Sequence, residues 1–494
     1  MALSRRSLLQ GGALLGAGLA LPRAWAGSAP ALVTTRPSLR PGGPAKVGPY
    51  RVLAASLHDH STDSDGDSAS EAVATFLSDY REDLGLDYCA LTDHSDAFPA
   101  SYQRSLNAAQ AADVAGAVPI PDLWHRQGAL ADRYDSDDFS LIRGFEWTND
   151  QQNHLNVLLS SNWTSRATTG DGSLRMDPFW TWLGADPVPD PTGSGLGFGG
   201  GDGIGIFNHP GDKGALNWDD YGLNPKAVER MALIEIHGSY GRAGRLDSDA
   251  GWYWFALSRG WHVSPVMNWD WHGWMSSDGV MRNPTPGASY DEGRTFLPGQ
   301  RSLVLARSSR RSDLRQALAA RRTTATEIPD LWASLRGPGG SWQGSLIEGE
   351  PGQTLTLKVD AGSDTEPLLG VEIIGDNGLT GHEDYFGDNP DWSTPHNQLT
   401  ASYVEQHRRF VVNGDATRKR RPGGQRHDSP PVGTVMATAP LSGSRDRATV
   451  KVTVPTTPSP RPDGRHFFYA IVYAGRTDFP ARAWTGPLLT NAGG

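Results

Sequence analysis

Short apolar runs alternate with more polar stretches from about residue 50 to residue 326 of the chain. Runs of this kind, rich in Val, Ile, Leu, Phe and Tyr, are typical of buried strands, and the stretches between them include segments of helical length. The strands predicted in this way cover residues 51–55, 88–91, 139–145, 153–159, 204–207, 232–236, 263–267 and 302–306, and three predicted helices cover about 68–84, 250–258 and 312–320. The alternation indicates a parallel α/β architecture.

The hydrophobic pattern changes after about residue 328, where helix-like periodicity ends and β-like runs follow one another. Several short strands without intervening helices predict an antiparallel, sandwich-like β domain. We therefore expect an α/β domain over residues 49–328 and a C-terminal β domain over residues 329–494. An insertion at about 161–203 is predicted to be either a lid over a site or a solvated surface loop.

The first 26 residues have the features of an export signal. Arg5 and Arg6 resemble the twin-arginine motif, a weakly apolar segment follows at 11–21, and a small-x-small cleavage site ends at Ala26. Residues 27–48 predict a flexible linker. We expect the twin-arginine translocase to export the folded protein to the periplasm or outside the cell, with no stable membrane span after cleavage. An ordinary secretory signal or a retained membrane anchor is the alternative.

Composition narrows the classes of function. The chain has 494 residues, of which 37% are hydrophobic and 20% charged, so it is long enough for two globular domains. Its formal net charge of -10 argues against nucleic acid as a partner, because phosphate backbones select basic surfaces. Cys89 is the single cysteine, which rules out an intramolecular disulfide and a thiolate-rich metal site.

The first candidate for chemistry is the His-x-His pair that follows the strand at 51–55. His58 and His60 point to the same face if the strand continues, because alternate residues of a strand share a face. Asp65 follows after a turn of small polar residues. Imidazole and carboxylate groups suit a Zn-, Mn- or Fe-type ion.

Further metal-ligand residue types recur at the C-terminal ends of the later strands, where chemistry is found in parallel α/β folds. The candidates in chain order are His58, His60, Asp65, His94, Glu146, His154, His209, Asp270 and His272, of which His154 is predicted to lie within a strand. Nine ligands exceed one tetrahedral site and fit two or three divalent metal ions (Zn, Mn or Fe) that share bridging groups. Glu146, at the end of a buried strand, is the predicted bridge.

These residues make the sequence similar to the PHP (polymerase and histidinol phosphatase) superfamily. The matching motifs, in the family's order, are His58-x-His60 with Ser64-Asp65-Gly66, Thr92-Asp93-His94, Gly144-Phe145-Glu146, His209-Pro210 and Asp270-x-His272. The resemblance implies a distorted (β/α)7 barrel with two or three metal ions at the C-terminal face. Within the superfamily, the layout resembles an exported branch that includes carbaryl hydrolase.

The resemblance also implies a ligand set for each ion. His58, His60, Glu146 and Asp270 would surround one ion. Asp65, His94 and His272 would hold a second ion, and Glu146, His154 and His209 would hold a third.

Other residues are candidates for catalysis or substrate binding. Asp93 and His237 are the candidate catalytic residues, although His237 fits a surface histidine equally well. Lys213 and Arg242 follow predicted strands and are candidates to bind an anionic substrate. Trp271 is a candidate to line an aromatic or sugar pocket, with core packing as the alternative.

We therefore expect an exported metal-dependent hydrolase that acts on a small-molecule substrate. The first hypothesis is a phosphoesterase in which a metal-bridging hydroxide attacks phosphorus. The second keeps the metal centre but places an ester, amide or carbamate at it. The third is a non-catalytic cell-surface binding protein.

Overall fold

The computed structural model describes residues 45–61, 63–64, 73–74, 85–98, 121–149, 152–166, 176–189, 198–210, 217–236, 250–272, 300–376, 434–459, 461–476 and 479–490. All of them belong to one compact unit, Ser38–Gly494. The predicted export signal and almost all of the predicted linker lie outside the described residues.

The first part of the described chain contains ten strands and five helices with described bounds, and Val73 and Ala74 are also helical, within the helix predicted at about 68–84. The strands are β1 (Lys46–Val47), β2 (Tyr50–Asp59), β3 (Tyr88–Leu91), β4 (Ser140–Trp147), β5 (Leu155–Leu158), β6 (Ile204–Phe207), β7 (Met231–Glu235), β8 (Ser264–Val266), β9 (Arg301–Ala306) and β10 (Thr323–Thr326). The helices are α1 (Pro121–Arg133), α2 (Asp177–Gly184), α3 (Asn217–Tyr221), α4 (Ala250–Ser258) and α5 (Arg311–Ala319). Each strand predicted from an apolar run has a counterpart within a few residues.

The remaining described chain is almost entirely β. Its strands are β11 (Trp332–Arg336), β12 (Leu346–Ile347), β13 (Thr354–Gly362), β14 (Leu368–Gly375), β15 (Thr434–Pro440), β16 (Arg445–Thr453), β17 (Phe467–Arg476), β18 (Phe479–Thr485) and β19 (Leu488–Thr490). Short 3-10 turns lie at Ser95–Ala97 and Pro338–Gly340. The predicted C-terminal β region is thus confirmed.

One large mixed sheet organises the molecule. Strands β2 to β8 lie side by side in chain order, and β9 and β10 extend the sheet on the other side of β2. Pairs β2–β3, β3–β4, β6–β7 and β7–β8 are parallel. A parallel bridge between Asp59 and Trp271 also connects the chain after β8 to the end of β2.

The protein is therefore a mixed α/β structure, but it is not a clear (β/α)7 barrel. Strand β5 runs antiparallel to both β4 and β6. Residues 148–154, which join β4 to β5, are too few for a parallel crossover, which takes about a dozen residues or more. Helices are also few among the described residues, so the regular alternation that we predicted is incomplete.

The C-terminal strands continue the large sheet and add a second one. β10 pairs with both β9 and β18, and this pairing joins the two parts of the chain. The second sheet has the order β11–β13–β16. Alternate residues of β16 and of the first part of β13 are buried, and they share one hydrophobic core with β14 and β17 of the large sheet. This is the arrangement of two packed sheets with one apolar face each.

A second core, rich in aromatic residues, is formed mainly by the α/β part of the chain. Helix α4 is buried on nearly all sides, and its Tyr253, Trp254 and Phe255 contribute to this core together with Trp180 of α2 and Trp261. An apolar helix without a polar face is expected inside a large core. In the part of the chain that the structure describes, no helix is both long enough and apolar enough to cross a membrane.

Candidate metal centre

The His-x-His pair lies at the end of β2. Residues of β2 from Val52 onward are buried, and His58 and His60 project from the same face, with ring centroids 5.2 Å apart. His58 Nε2 lies 3.1 Å from Glu146 Oε1, and His60 Nε2 lies 3.0 Å from Asp270 Oδ1. The strand geometry therefore delivers both imidazoles to the two carboxylates.

Glu146 is the centre of the cluster. It lies in β4, is 1% exposed, and its carboxylate is 2.8 Å from His94 Nδ1 and 3.1 Å from His154 Nδ1. The histidines with a nitrogen within 3.7 Å of a Glu146 oxygen are His58, His60, His94, His154 and His209. One carboxylate is thus shared by imidazoles that arrive from the end of β2, from the chain after β3, and from one end of the antiparallel β5–β6 pair, where His154 precedes β5 and His209 follows β6.

Asp270 is the second carboxylate of the cluster. It follows β8, and its Oδ1 lies 3.3 Å from His58 Nε2 and 3.6 Å from His272 Nδ1. Its backbone has φ 47°, in the left-handed region that few non-glycine residues adopt. His209 (φ 29°) and Asn153 (φ 78°) share this strained conformation. Such strain persists where surrounding contacts hold the backbone, and here it accompanies three turns of the candidate site.

Four overlapping groups of side chains are close enough to hold a metal ion. Within each group the ligand atoms lie within 4.8 Å of one another. The groups are His58–His60–Glu146, His58–His209–Asp270, His60–His94–His272 and His94–Glu146–His154. His58–His60–Glu146 lies wholly within one set that the PHP resemblance implies, whereas each of the other three groups shares only two of its residues with an implied set.

The electrostatics of the cluster follow from burial and from opposite charges. Burial disfavours the charged form of His58, but Asp270, Glu146 and Glu235 outweigh it and raise the pKa of His58 well above its usual value. Burial lowers the pKa of His60 to about 3, helped by His272 and His94. Burial alone would raise the pKa of Glu146, but the surrounding histidines outweigh burial and hold this pKa well below its usual value. Glu146 and His60 are thus held in the forms that bind metal, an ionised carboxylate and a neutral imidazole. The carboxylates around His58 favour its protonated form instead, so His58 would release a proton when an ion binds.

The residues present fit a divalent cation. Nε2 of His58 and Nε2 of His209 are buried and make no hydrogen bond within the described part of the chain, although each lies within 3.4 Å of Glu146 Oε1. Buried nitrogen lone pairs that converge on carboxylates are the donor set of a Zn-, Mn- or Fe-type ion. The least buried side chains of the cluster are His94, 16% exposed, and His272, 10% exposed, so solvent reaches the cluster from their side.

Residues that sequence reasoning missed surround these ligands. Asn208 Nδ2 donates to Glu146 Oε1 at 2.8 Å, and Glu235 Oε1 accepts from His58 Nδ1 at 2.9 Å. Asn268 donates to the same Glu235 oxygen. All three lie at or just after the C-terminal ends of β6, β7 and β8, as the ligands do, but a single amide or acidic residue at such a position has no distinctive pattern in the sequence.

Asp93 lies beside the cluster and holds a turn. Its two carboxylate oxygens accept hydrogen bonds from Ser61, Ser64 and Gln127 at 2.7–2.9 Å. Burial raises the pKa of Asp93 to about 6. The contacts fix the turn that leads from His60 toward Asp65, and the catalytic role of Asp93 stays a prediction.

Of the remaining predicted site residues, Trp271 is described by the structure and four others are not. Trp271 is 3% exposed and belongs to a hydrophobic cluster with Trp269 and Leu130, while its backbone pairs with that of His60. Its role in substrate binding stays a prediction. Those that lie outside the described residues are Asp65, Lys213, His237 and Arg242. His154 precedes β5 rather than lying within it.

Comparison with known proteins adds little. No family model matches the chain, and no curated protein matches it. Among solved structures, part of the chain is similar to a family 123 glycoside hydrolase from Clostridium perfringens that was described for glycolipid glycan hydrolysis. The sequence identity is 11% and the TM-score is 0.16, over 32% of this chain and 27% of that chain. A likeness at this level carries no argument about fold or function.

Proposed function

We propose that the chain is a metal-dependent hydrolase of the PHP type, and specifically a phosphoesterase. One observation carries the proposal, namely the convergence of ligand-type side chains from separate strand ends on one buried carboxylate, Glu146. The side chains of the four candidate ligand groups are His58, His60, His94, Glu146, His154, His209, Asp270 and His272. A structural core has no need for so many buried imidazoles in contact with carboxylates, because burying polar groups costs free energy.

The cluster would hold two or three divalent ions, with Glu146 shared between neighbouring ligand groups. Such ions, when bound, lower the pKa of a water molecule and neutralise charge on a phosphoryl group. The chain's own residues hold the ligands in place and leave the cluster accessible on the side of His94 and His272, where a substrate would enter. Asp93 would keep the turn before Asp65 in position.

The finer fold assignment belongs to the same proposal. Strands β2 to β8 are seven strands in sequence order, and the Asp59–Trp271 bridge brings the chain after β8 back to β2. This order supports a distorted PHP barrel in which β5 is reversed. The ligands at the ends of these strands would then surround the mouth of the barrel, as in other barrels with catalysis at the C-terminal face.

Chemistry at carbonyl carbon is the second candidate. A divalent ion polarises a carbonyl oxygen as it does a phosphoryl oxygen, so the same ligands would serve an ester, amide or carbamate. The third candidate, a binding protein without turnover, would keep the metal and lose the reaction. Export by the twin-arginine translocase to the periplasm or outside the cell is part of all three candidates.

Parallel assays separate the candidates. The purified protein, loaded with Zn²⁺ or Mn²⁺, is offered an aryl phosphodiester, an aryl phosphomonoester and an aryl ester or carbamate. We expect turnover of a phosphate ester that both His58→Ala and Asp270→Ala abolish. Turnover of the carbonyl substrates alone would contradict the phosphoesterase, and metal binding without turnover of any substrate would support the binding protein.

A further inference from the structure

Glu235 is a buried carboxylate that touches two of the candidate metal ligands. It is the last residue of β7 and is 1% exposed. Its Oε1 lies 2.9 Å from Nδ1 of His58. An ionised carboxylate can accept hydrogen bonds but cannot donate them. This contact therefore places a ring hydrogen of His58 on Nδ1. In the neutral form of His58, which is the form that binds metal, the lone pair is then on Nε2, which faces Glu146 and Asp270 at 3.1 and 3.3 Å.

The other oxygen of Glu235 holds a second ligand by its backbone. Glu235 Oε2 accepts a hydrogen bond from the backbone N–H of His209 at 2.6 Å. His209 has φ 29°, a conformation that costs free energy in a residue with a side chain. The contact with Glu235 offsets part of that cost and orients the His209 ring toward Glu146.

Glu235 is itself held by neighbouring strands. Asn268 Nδ2 donates to its Oε1 at 2.8 Å, and Asn268 Oδ1 in turn accepts from the backbone N–H of Leu57 at 2.9 Å and from Ser302 Oγ at 2.8 Å. The network therefore links β2, β7, β9 and the chain after β8. Three donors converge on the carboxylate, which suits an ionised group in a buried position.

We propose that Glu235 is a positioning residue that sets the tautomer of His58 and the backbone of His209 at the same time. This inference rests on the proposed metal centre. Partners of this kind orient a ligating histidine and strengthen it as a ligand, and their loss typically costs about 10–100-fold in metal affinity.

The test uses Glu235→Gln with a matched control. In the variant, the amide NH2 must face either His58 Nδ1 or the His209 N–H. If the NH2 faces His58, it donates to Nδ1, and the ring hydrogen must move to Nε2. If the NH2 faces the backbone N–H of His209, two hydrogen-bond donors point at each other. The control is Asp376→Asn, which alters a buried carboxylate that contacts Nδ1 of His466 at 2.8 Å in the C-terminal β region. Both changes remove one charge from a buried carboxylate–imidazole pair.

The readouts are Co²⁺ affinity, measured by competition with a chelator, the visible spectrum of the Co²⁺ protein, and circular dichroism. We expect Glu235→Gln to fold, to bind Co²⁺ about 10–100-fold more weakly and to change the spectrum, with Asp376→Asn equal to wild type. Wild-type affinity and spectrum in Glu235→Gln would overturn the proposal. An equal loss in both variants would also overturn it, since the effect would then be general destabilisation.

A measurement on the wild-type protein covers the case in which Glu235→Gln does not fold. In the Zn²⁺ protein with ¹⁵N-labelled histidine, NMR is expected to show the His58 hydrogen on Nδ1, and a hydrogen on Nε2 would overturn the proposal. Wild-type protein that binds metal but hydrolyses nothing would contradict the proposed hydrolase alone. Wild-type protein that binds no metal would contradict both.

Discussion

At the scale of the residue, the centre depends most on Glu146. Its carboxylate contacts more imidazoles than Asp270 does, and the bound ions would share it. The ligand types were predictable because His, Asp and Glu at the ends of apolar runs stand out in the sequence. The roles of Glu235 and Asn208 were not predictable, because a single acidic or amide residue at a strand end has no distinctive pattern until the positions of the neighbouring strands are known.

Replacing Glu146 with Gln tests its role. The variant keeps the volume of the side chain but loses the charge, so we expect it to lose at least one metal ion per chain. Turnover is expected to fall more than about 100-fold, beyond the usual effect of a residue that only orients a ligand. Glu372→Gln is the control, since Glu372 accepts a hydrogen bond from Tyr473 in the C-terminal β region. Unchanged metal content and turnover in Glu146→Gln would contradict the assigned role.

At the scale of the element, strand positions were predicted better than strand directions. Apolar runs located β2, β3, β4 and β6 because all of their residues, or nearly all, are buried. The direction of β5 depends on its short connection to β4, and the alternation of apolar runs does not reveal that connection. Burial shows where a strand lies, whereas the connection decides which way it runs.

The segment at 161–203 is another element that the sequence did not resolve. We expected a lid or a solvated loop, but it contains α2, whose Phe179, Trp180 and Leu183 are buried. The ring of Phe179 lies 4.7 Å from that of Trp147 in β4. Part of the insertion therefore belongs to the core.

A large-to-small substitution in α2 checks this conclusion. We expect Phe179→Ala to lower the free energy of unfolding by about 3–5 kcal/mol, because it removes a fully buried ring. The control in the same segment is Val188→Ala, at a side chain that is 52% exposed, with an expected change within about 0.5 kcal/mol. Chemical denaturation measures both, and a loss below about 1 kcal/mol for Phe179→Ala would be the behaviour of a mobile lid instead.

The end of α4 is held by an arginine from the C-terminal β region. Arg461 is 3% exposed and donates to the carbonyl oxygens of Leu257, Gly260 and Trp261, as well as to Asp463. Leu257 belongs to the last turn of α4, and Gly260 and Trp261 lie just after the helix. One side chain thus satisfies several acceptors and connects two parts of the chain.

Removing that guanidinium is expected to destabilise the whole protein. For Arg461→Ala we expect a loss of about 3 kcal/mol in the free energy of unfolding, since buried acceptors would lose a charged donor. Arg445→Ala is the comparison, because Arg445 is 58% exposed and pairs with Asp364 at the surface, where such pairs contribute about 0–1 kcal/mol. Equal unfolding free energies for the two variants would contradict the role of Arg461.

At the scale of the whole molecule, the α/β part and the C-terminal β region are built on a common sheet. β10 pairs with β18, and the aromatic core includes Trp254 of α4 together with Phe467 and Tyr469 of β17. The sequence predicted both parts from the change in periodicity. It did not predict their shared sheet, because pairing between strands so distant along the chain leaves no local pattern.

The predicted export route also concerns the whole molecule. We expect a precursor with Arg5→Lys and Arg6→Lys to stay in the cytoplasm, because the translocase reads the paired arginines. Fractionation of cells that express the wild-type and double-variant precursors, with an unrelated Sec-exported protein as the control, measures the outcome. Export of the double variant at the wild-type level would favour an ordinary secretory signal.

The proposed function requires that the buried cluster hold metal ions. Elemental analysis of the purified wild-type protein, beside Asp270→Ala with its fold verified by circular dichroism, tests it most directly. We predict two or three equivalents of Zn, Mn or Fe per wild-type chain and a clear loss in the variant. A folded wild-type protein that binds none of these metals, even when they are supplied in excess, would contradict the account.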